Sequence, residues 1–424
     1  MKPITECLVN ITKCSNLEYD TKKLSMTLLV YLLSCHSNQI QNILIDVAKQ
    51  VIPLIFQQFL SNFDENMEIN SPNDYDEQDN FEYGAEILPE LVPIFGSEIF
   101  LNIIKQPVFD KGFNENNGDW KNTLIALKTI EVTLENCCDL YEHQLPQILN
   151  VITRILSNNN SNPHNKYLAL SVIKQLSVIY GDDKHVFLIP FHENIMKSFC
   201  YILTNQPLSQ SNCVLIQVCD AIAHFVYIDE DNEIITKYSN IIINGLFDLL
   251  VACKDNNNNN NTLELQSIIF KALSVICSII QDEFTIFYDK LIKYNIQLLQ
   301  EIFNGQIKND INGQLRGRIM ECIGGMLLVV DIDKCRNDAH NIIKFLLQFQ
   351  KQEQNDSCSE SYTFMMSLFA SIAEALTNEF TPYLQYVIPP LIQSAKRRTI
   401  SVGLSHDDES KNNNNNNNNN VVQE

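Results

Sequence analysis

Glycine and proline are scarce in this chain, at 12 and 13 of 424 residues, too few to interrupt a continuous apolar core. Basic residues are also few: 30 Lys and Arg against 51 Asp and Glu give a formal net charge of −21. That balance disfavours direct contact with nucleic acid or an anionic membrane surface and favours cationic partners. Strand patterning is nearly absent, so an all-α fold is expected. No uncharged apolar run reaches the roughly 18 to 20 residues a membrane span needs. The run around Cys322–Val330, for example, is closed by Glu321 and Asp331, and membrane insertion is not expected. The N-terminus lacks the unbroken apolar segment of a signal peptide.

Catalytic and metal-binding patterns are missing too. The 13 cysteines lack metal-ligand spacing and mostly lie within apolar helical runs. A buried free cysteine acts as a small hydrophobe, which points to a reducing compartment without disulfides. The eight histidines form no HExxH, and there is no phosphate-binding glycine loop followed by Lys-Ser/Thr and no nucleophile elbow. Neither an enzyme nor a resident cofactor is expected.

What the chain does contain is a long repeat. An Ile/Leu-rich helical segment, often opened or punctuated by proline, returns at Val51–Phe56, Phe100–Ile104, Gln144–Leu149, Leu188–Phe191, Asn240–Ile243, Lys290–Lys293, Asn341–Lys344 and Tyr386–Leu391. The intervals between equivalent points run from 44 to 53 residues. A second helix follows each copy. In Asp119–Ile130 the apolar residues Trp120, Leu124, Leu127 and Ile130 recur every three or four positions. The same spacing marks Lys166–Ile179, Val214–Phe225, Leu265–Ile279, Leu315–Val329 and Tyr362–Leu376. Ala126, Ala169, Ala221, Ala272, Gly324 and Ala373 are small enough for neighbouring helices to approach closely. A fixed long period of helix pairs predicts an α-solenoid, an α-α superhelix over residues 1–400.

Three segments depart from the repeat. Residues 61–86 carry Asp64, Glu65, Glu68, Asp74, Asp76, Glu77, Asp79 and Glu82 without any Lys or Arg. Unpaired like charges keep such an insert extended, disordered and open to a cationic partner. Residues 255–261 form an Asn-rich loop, and 401–424 an Asn-rich tail. Neither can bury enough apolar area to become ordered.

Taken together, the acidic insert, the later Asp119-Trp-Lys121, the stretch Gln314–Ile323 (QLRGRIMECI) and Phe380–Leu391 (FTPYLQYVIPPL) resemble the importin-beta (karyopherin) superfamily, and most closely its importin-five branch. The resemblance covers the family's middle portion and implies HEAT-repeat helices. It implies a nuclear transport receptor that binds basic nuclear-localisation segments of cargo proteins on a concave face. It also implies contact with nuclear-pore FG repeats, release by Ran-GTP through the acidic loop, and shuttling between cytoplasm and nucleus with transient presence at the nuclear envelope. A monomer is expected. Family members are considerably longer, and their principal Ran-binding repeats precede the matching region. The chain is therefore expected to be a truncated paralogue, part of a split gene or a middle fragment, with Ran-linked release uncertain and cargo binding retained.

Under this resemblance the inner-face contacts to lysine-rich cargo are expected from Trp120, Glu131, Glu135, Asp220, Glu264, Glu321 and Glu374. Each exposed ion pair contributes at most about 1 kcal/mol, so several must act together. The tryptophan can stack on a lysine for roughly 0.5 to 2 kcal/mol, or pack the helix start against the next repeat. Two other readings stand beside transport: a scaffold of the same fold, and a non-functional truncated paralogue. Phosphatase scaffolds keep a tighter repeat than any interval here, and tubulin-binding arrays present basic loops where this chain has an acidic one.

Overall fold

The computed structural model describes residues 2–36, 44–61, 79–114, 119–181, 185–206, 212–228, 232–255, 260–307, 310, 313–355 and 361–392. Helices account for nearly all of them, and no strand occurs among the described residues. The chain divides into two compact units, Met1–Ile280 and Gln281 onward, where a single array over 1–400 was expected.

The first unit contains α1 (Lys2–Lys13), α2 (Tyr19–His36), α3 (Leu44–Ile55), α4 (Asp79–Phe95), α5 (Ser97–Ile104), α6 (Trp120–Tyr141), α7 (Leu145–Leu156), α8 (Pro163–Tyr180), α9 (Ile189–Asn205), α10 (Asn212–Phe225), α11 (Glu233–Asp255) and α12 (Asn260–Ile280). Each even-numbered helix packs on the next, from α2 through α12. The odd helices stack likewise, α1 on α3 on α5 and α7 on α9 on α11, and each odd helix also touches its following partner. Contact from i to i+2 along two parallel rows is the arrangement of a helical-repeat array, in which no pair buries its apolar face alone. The second unit repeats it with α13 (Thr285–Phe303), α14 (Gln314–Val329), α15 (Ile332–Asn355) and α16 (Ser361–Leu376): α13 meets α14, α15 meets α16, and α14 lies along α16.

Local chemistry sets these elements. Pro146, Pro163 and Pro190 occupy the first turns of α7, α8 and α9, where a missing N–H costs nothing. Asp310 caps α14 by accepting from the N–H of Leu315 at 3.0 Å and of Arg316 at 3.2 Å. The predicted small residues do the close packing: Ala126, Ala169, Ala221 and Ala272 have no exposed surface, whereas Ala373 is half-buried. A Cβ on Gly324 would lie 3.0 Å from Ser371 Oγ on α16.

Two sequence boundaries are corrected. The acidic insert, expected over 61–86, gives way to α4 already at Asp79, because Phe81, Ala85 and Leu88 repeat at helical spacing and are fully buried. The Asn-rich loop expected over 255–261 loses both edges, since α11 continues through Asp255 and α12 begins at Asn260. The 401–424 tail lies outside the described residues.

The membrane criterion is corrected as well. Two stretches, within Glu233–Lys254 and Thr262–Phe303, are long and apolar enough to cross a bilayer by length and composition. Here their apolar sides are core: Ile242, Ile243, Leu246 and Leu250 of α11, and Leu265, Ile269, Leu273 and Ile276 of α12, are at most 1% exposed. The twelve described cysteines are all free. Burial pushes the thiols of Cys137, Cys253 and Cys322 up to about 12 and that of Cys200 to about 11, as expected of packing residues.

Candidate functional site

The even-numbered helices of the first unit share one polar row. Lys128 on α6 sits between two carboxylates, 3.3 Å from Glu82 on α4 and 3.3 Å from Glu131 one turn along. Burial lowers its pKa, but the two carboxylates outweigh this and the net shift is upward. Glu131 in turn accepts a hydrogen bond from the Ser171 hydroxyl on α8. One turn beyond Ser171, Lys174 lies 2.6 Å from the Asp220 carboxylate on α10, and Lys271 on α12 reaches its other oxygen at 2.7 Å. Burial alone would raise the Asp220 carboxyl, yet hydrogen bonds from both lysines hold it below the usual carboxylate range. His224 Nδ1 lies 3.7 Å from the same carboxylate. A polar ladder therefore runs along the five even-numbered helices from α4 to α12.

This changes the picture of an acidic wall. Of the six carboxylates expected to face cargo, Glu131 and Asp220 are paired within the ladder, Glu131 sharing Lys128 with Glu82, and Glu321 pairs with Arg318 at 2.7 Å. Arg318 also lies 5.3 Å from the Phe364 ring of α16. Glu135 and Glu374 are exposed, and Glu264 is half-buried. Burial raises the Glu264 pKa, and no described residue pairs with it. In the acidic insert, Asp64, Glu65, Glu68, Asp74, Asp76 and Glu77 lie outside the described residues. Asp79 opens α4, and Glu82, expected in an unpaired run, is helical and bonded to Lys128.

Trp120 has a structural partner. Asp119 caps α6 by accepting from the Lys121 N–H at 3.1 Å, which fixes the helix start. Asn162 does the same for α8 through the His164 N–H at 2.9 Å. These two starts meet, with the indole stacked on the His164 ring at 5.8 Å and 16°, and Asn165 donating to the Trp120 carbonyl at 3.1 Å. One repeat is thereby pinned to the next. Lys166 is buried and, among the described residues, donates to neutral oxygens, those of Asn159 at 3.4 Å and Gln206 at 3.5 Å.

Sequence reasoning missed Lys128, Lys174 and Lys271. A signal was available, since the side chains that meet across the ladder lie 40 to 51 residues apart, close to the repeat interval.

Stacked helix pairs with this two-row packing define the class: a HEAT-repeat α-α superhelix. No family model matches the chain. Importin subunit beta-3 of Saccharomyces cerevisiae is 24% identical over 311 residues, covering 72% of this chain but 26% of that protein. A probable importin-5 homolog of Dictyostelium discoideum is 28% identical over 123 residues, 29% of this chain and 11% of its own length. Among solved structures, Kap121p bound to Pho4p superposes with a TM-score of 0.71 at 18% identity, covering 93% of this chain and 36% of that one. Kap121p bound to RanGTP superposes with a TM-score of 0.70. The chain is thus similar to importins of this kind over part of their length, and spans about a quarter of importin subunit beta-3.

Proposed function

We propose that the chain serves in nuclear transport, taking up basic nuclear-localisation segments of cargo and shuttling between cytoplasm and nucleus. What carries this reading is the likeness along 93% of the chain to a solenoid solved with Pho4p and with RanGTP, joined to an importin match over 72% of it. The unpaired carboxylates Glu135, Glu264 and Glu374 supply attraction for lysine. A mixed cavity of about 310 Å³, lined by Ile52, Pro53, Phe56, Ile103, Pro107 and Ile125 and by the polar Gln57, Ser61, Gln106, Lys111 and Asn122, is a candidate seat for an aromatic side chain of a nuclear-pore FG repeat. The acidic stretch Asp64–Glu82 is the element through which Ran-GTP would act. The chain spans about a quarter of importin subunit beta-3, so Ran-linked release is tested separately from peptide capture.

A pull-down with an immobilised lysine-rich localisation peptide, with and without Ran-GTP, tests both halves. Capture that weakens as salt rises is expected. Absence of salt-sensitive capture removes the proposal, while capture indifferent to Ran-GTP leaves binding without regulated release. Replacing Asp74, Asp76, Glu77 and Asp79 by Asn should weaken the Ran response and leave the fold intact.

A further inference from the structure

The ladder is polarised. Around Lys128 two carboxylates face one amine, an excess of one negative charge, and exposed Glu135 adds another one turn beyond Glu131. Around Asp220 two amines face one carboxylate, an excess of one positive charge. Accessibility reinforces the difference: the side chains of Lys174 and Lys271 are 32% and 27% exposed, whereas that of Asp220 is 12% exposed beneath them. A lysine arriving from solvent meets amines before it meets the carboxylate. An anionic side chain meets two donors that are each held by one short bond and retain further N–H groups.

We infer that this surface recognises a mixed-charge segment, with a basic residue at exposed Glu135 beside the largely buried Lys128 node and an acidic or phosphorylated residue at the Lys174–Asp220–Lys271 node. The inference rests on the peptide-binding reading above and specifies its partner. Geometry also sets a spacing. The nodes are centred on α6 and α10, two helix steps apart, or roughly 16 to 20 Å at ordinary helix packing distances. An extended peptide covers that in about five or six residues. The two signs must therefore be separated along the partner by about that interval, and a plain lysine run places a cation against the amine pair. Asp220, the carboxylate expected to hold a cargo lysine, instead orients the two amines.

The test is fluorescence anisotropy of four labelled peptides with the full chain. Three carry a basic cluster followed five or six residues later by Glu, phosphoserine or Gln, and the fourth is all-lysine. Binding of the Glu peptide should exceed that of the Gln peptide by about fivefold, the worth of roughly one partly exposed ion pair. The phosphoserine arm shows whether the node favours a dianion over a carboxylate. The variant Asp220→Asn leaves both amines free and should widen the preference. The double variant Lys174→Gln/Lys271→Gln should abolish it and improve all-lysine binding. Because the double variant leaves Asp220 unpaired, its fold is checked by circular dichroism, and Asp220→Asn gives an independent reading if it fails to fold. If the wild-type chain binds the all-lysine peptide but treats Glu and Gln alike, the mixed-charge inference is overturned and the transport reading stands. A preference that narrows in Asp220→Asn overturns it as well. If no peptide binds, both fall.

Discussion

At the level of single residues, Glu264 is where stability and binding pull apart. It is half-buried without a described partner, and burial holds its pKa above the usual carboxylate value. An acid whose folded pKa is raised costs the fold stability once it ionises. The cost is absent below the unfolded value of about 4.3 and complete above the folded one. Glu264→Gln should therefore raise the urea midpoint at pH 7 and leave it unchanged near pH 3.5. If Glu264 contacts cargo lysines, the same change weakens peptide capture, so the variant gains stability as it loses affinity. A destabilised variant at pH 7 would show that the carboxylate has a stabilising partner. Asp220 is the opposite case: its pKa is held down, so its contribution is present above the unfolded carboxylate value and drains away as pH falls through the folded one. Neither state was legible in the sequence. The pattern placed both carboxylates on second helices, and the one-repeat spacing of Lys174 and Lys271 from Asp220 hinted at partners, but spacing alone could not show that both lysines turn toward it. Those contacts are made between repeats and depend on how far each helix is rotated.

Among the helices, the periodic signal was sufficient. The six second helices expected from three-four spacing are α6, α8, α10, α12, α14 and α16, because apolar stripes packed on both neighbours leave little freedom of register. What spacing did not show is where helices touch backbone to backbone. Gly112, just beyond α5, is such a point: a Cβ there would lie 2.4 Å from Ala126 Cβ and 2.9 Å from the Asn122 carbonyl oxygen of α6. Both obstacles belong to the helix itself and cannot swing aside. Gly112→Ala should cost about 1 to 3 kcal/mol, read as a lower urea midpoint. Gly317 is the control. Its Cβ would meet the Phe364 ring at 2.5 Å, and a ring can turn, so Gly317→Ala should cost less. Equal losses would mean that the ring is as fixed as the backbone. The insert boundary failed for a related reason. The charges of Asp79 and Glu82 masked the buried stripe of Phe81, Ala85 and Leu88 that makes this stretch helical.

For the whole molecule, the question is how far a local loss travels. Repeat arrays hold together through nearest neighbours, so their stability is a sum of local terms. The chain divides after Ile280, and the next residue, Gln281, has φ 44, a strained conformation for a side-chain-bearing residue. Lys128→Met provides a sharp local perturbation. It leaves Glu82 and Glu131 facing each other in a largely buried place, at a cost of about 1 to 3 kcal/mol. Hydrogen exchange read by mass spectrometry should then show faster exchange through α4, α6 and α8. Peptides from α14 and α16 should keep their wild-type protection. Uniform loss across both units would mean that the array unfolds as one cooperative body and that the division at residue 280 carries no energetic weight. Graded loss confined to Met1–Ile280 would make the ladder a local clamp, able to change its partners in one unit while the other stays folded.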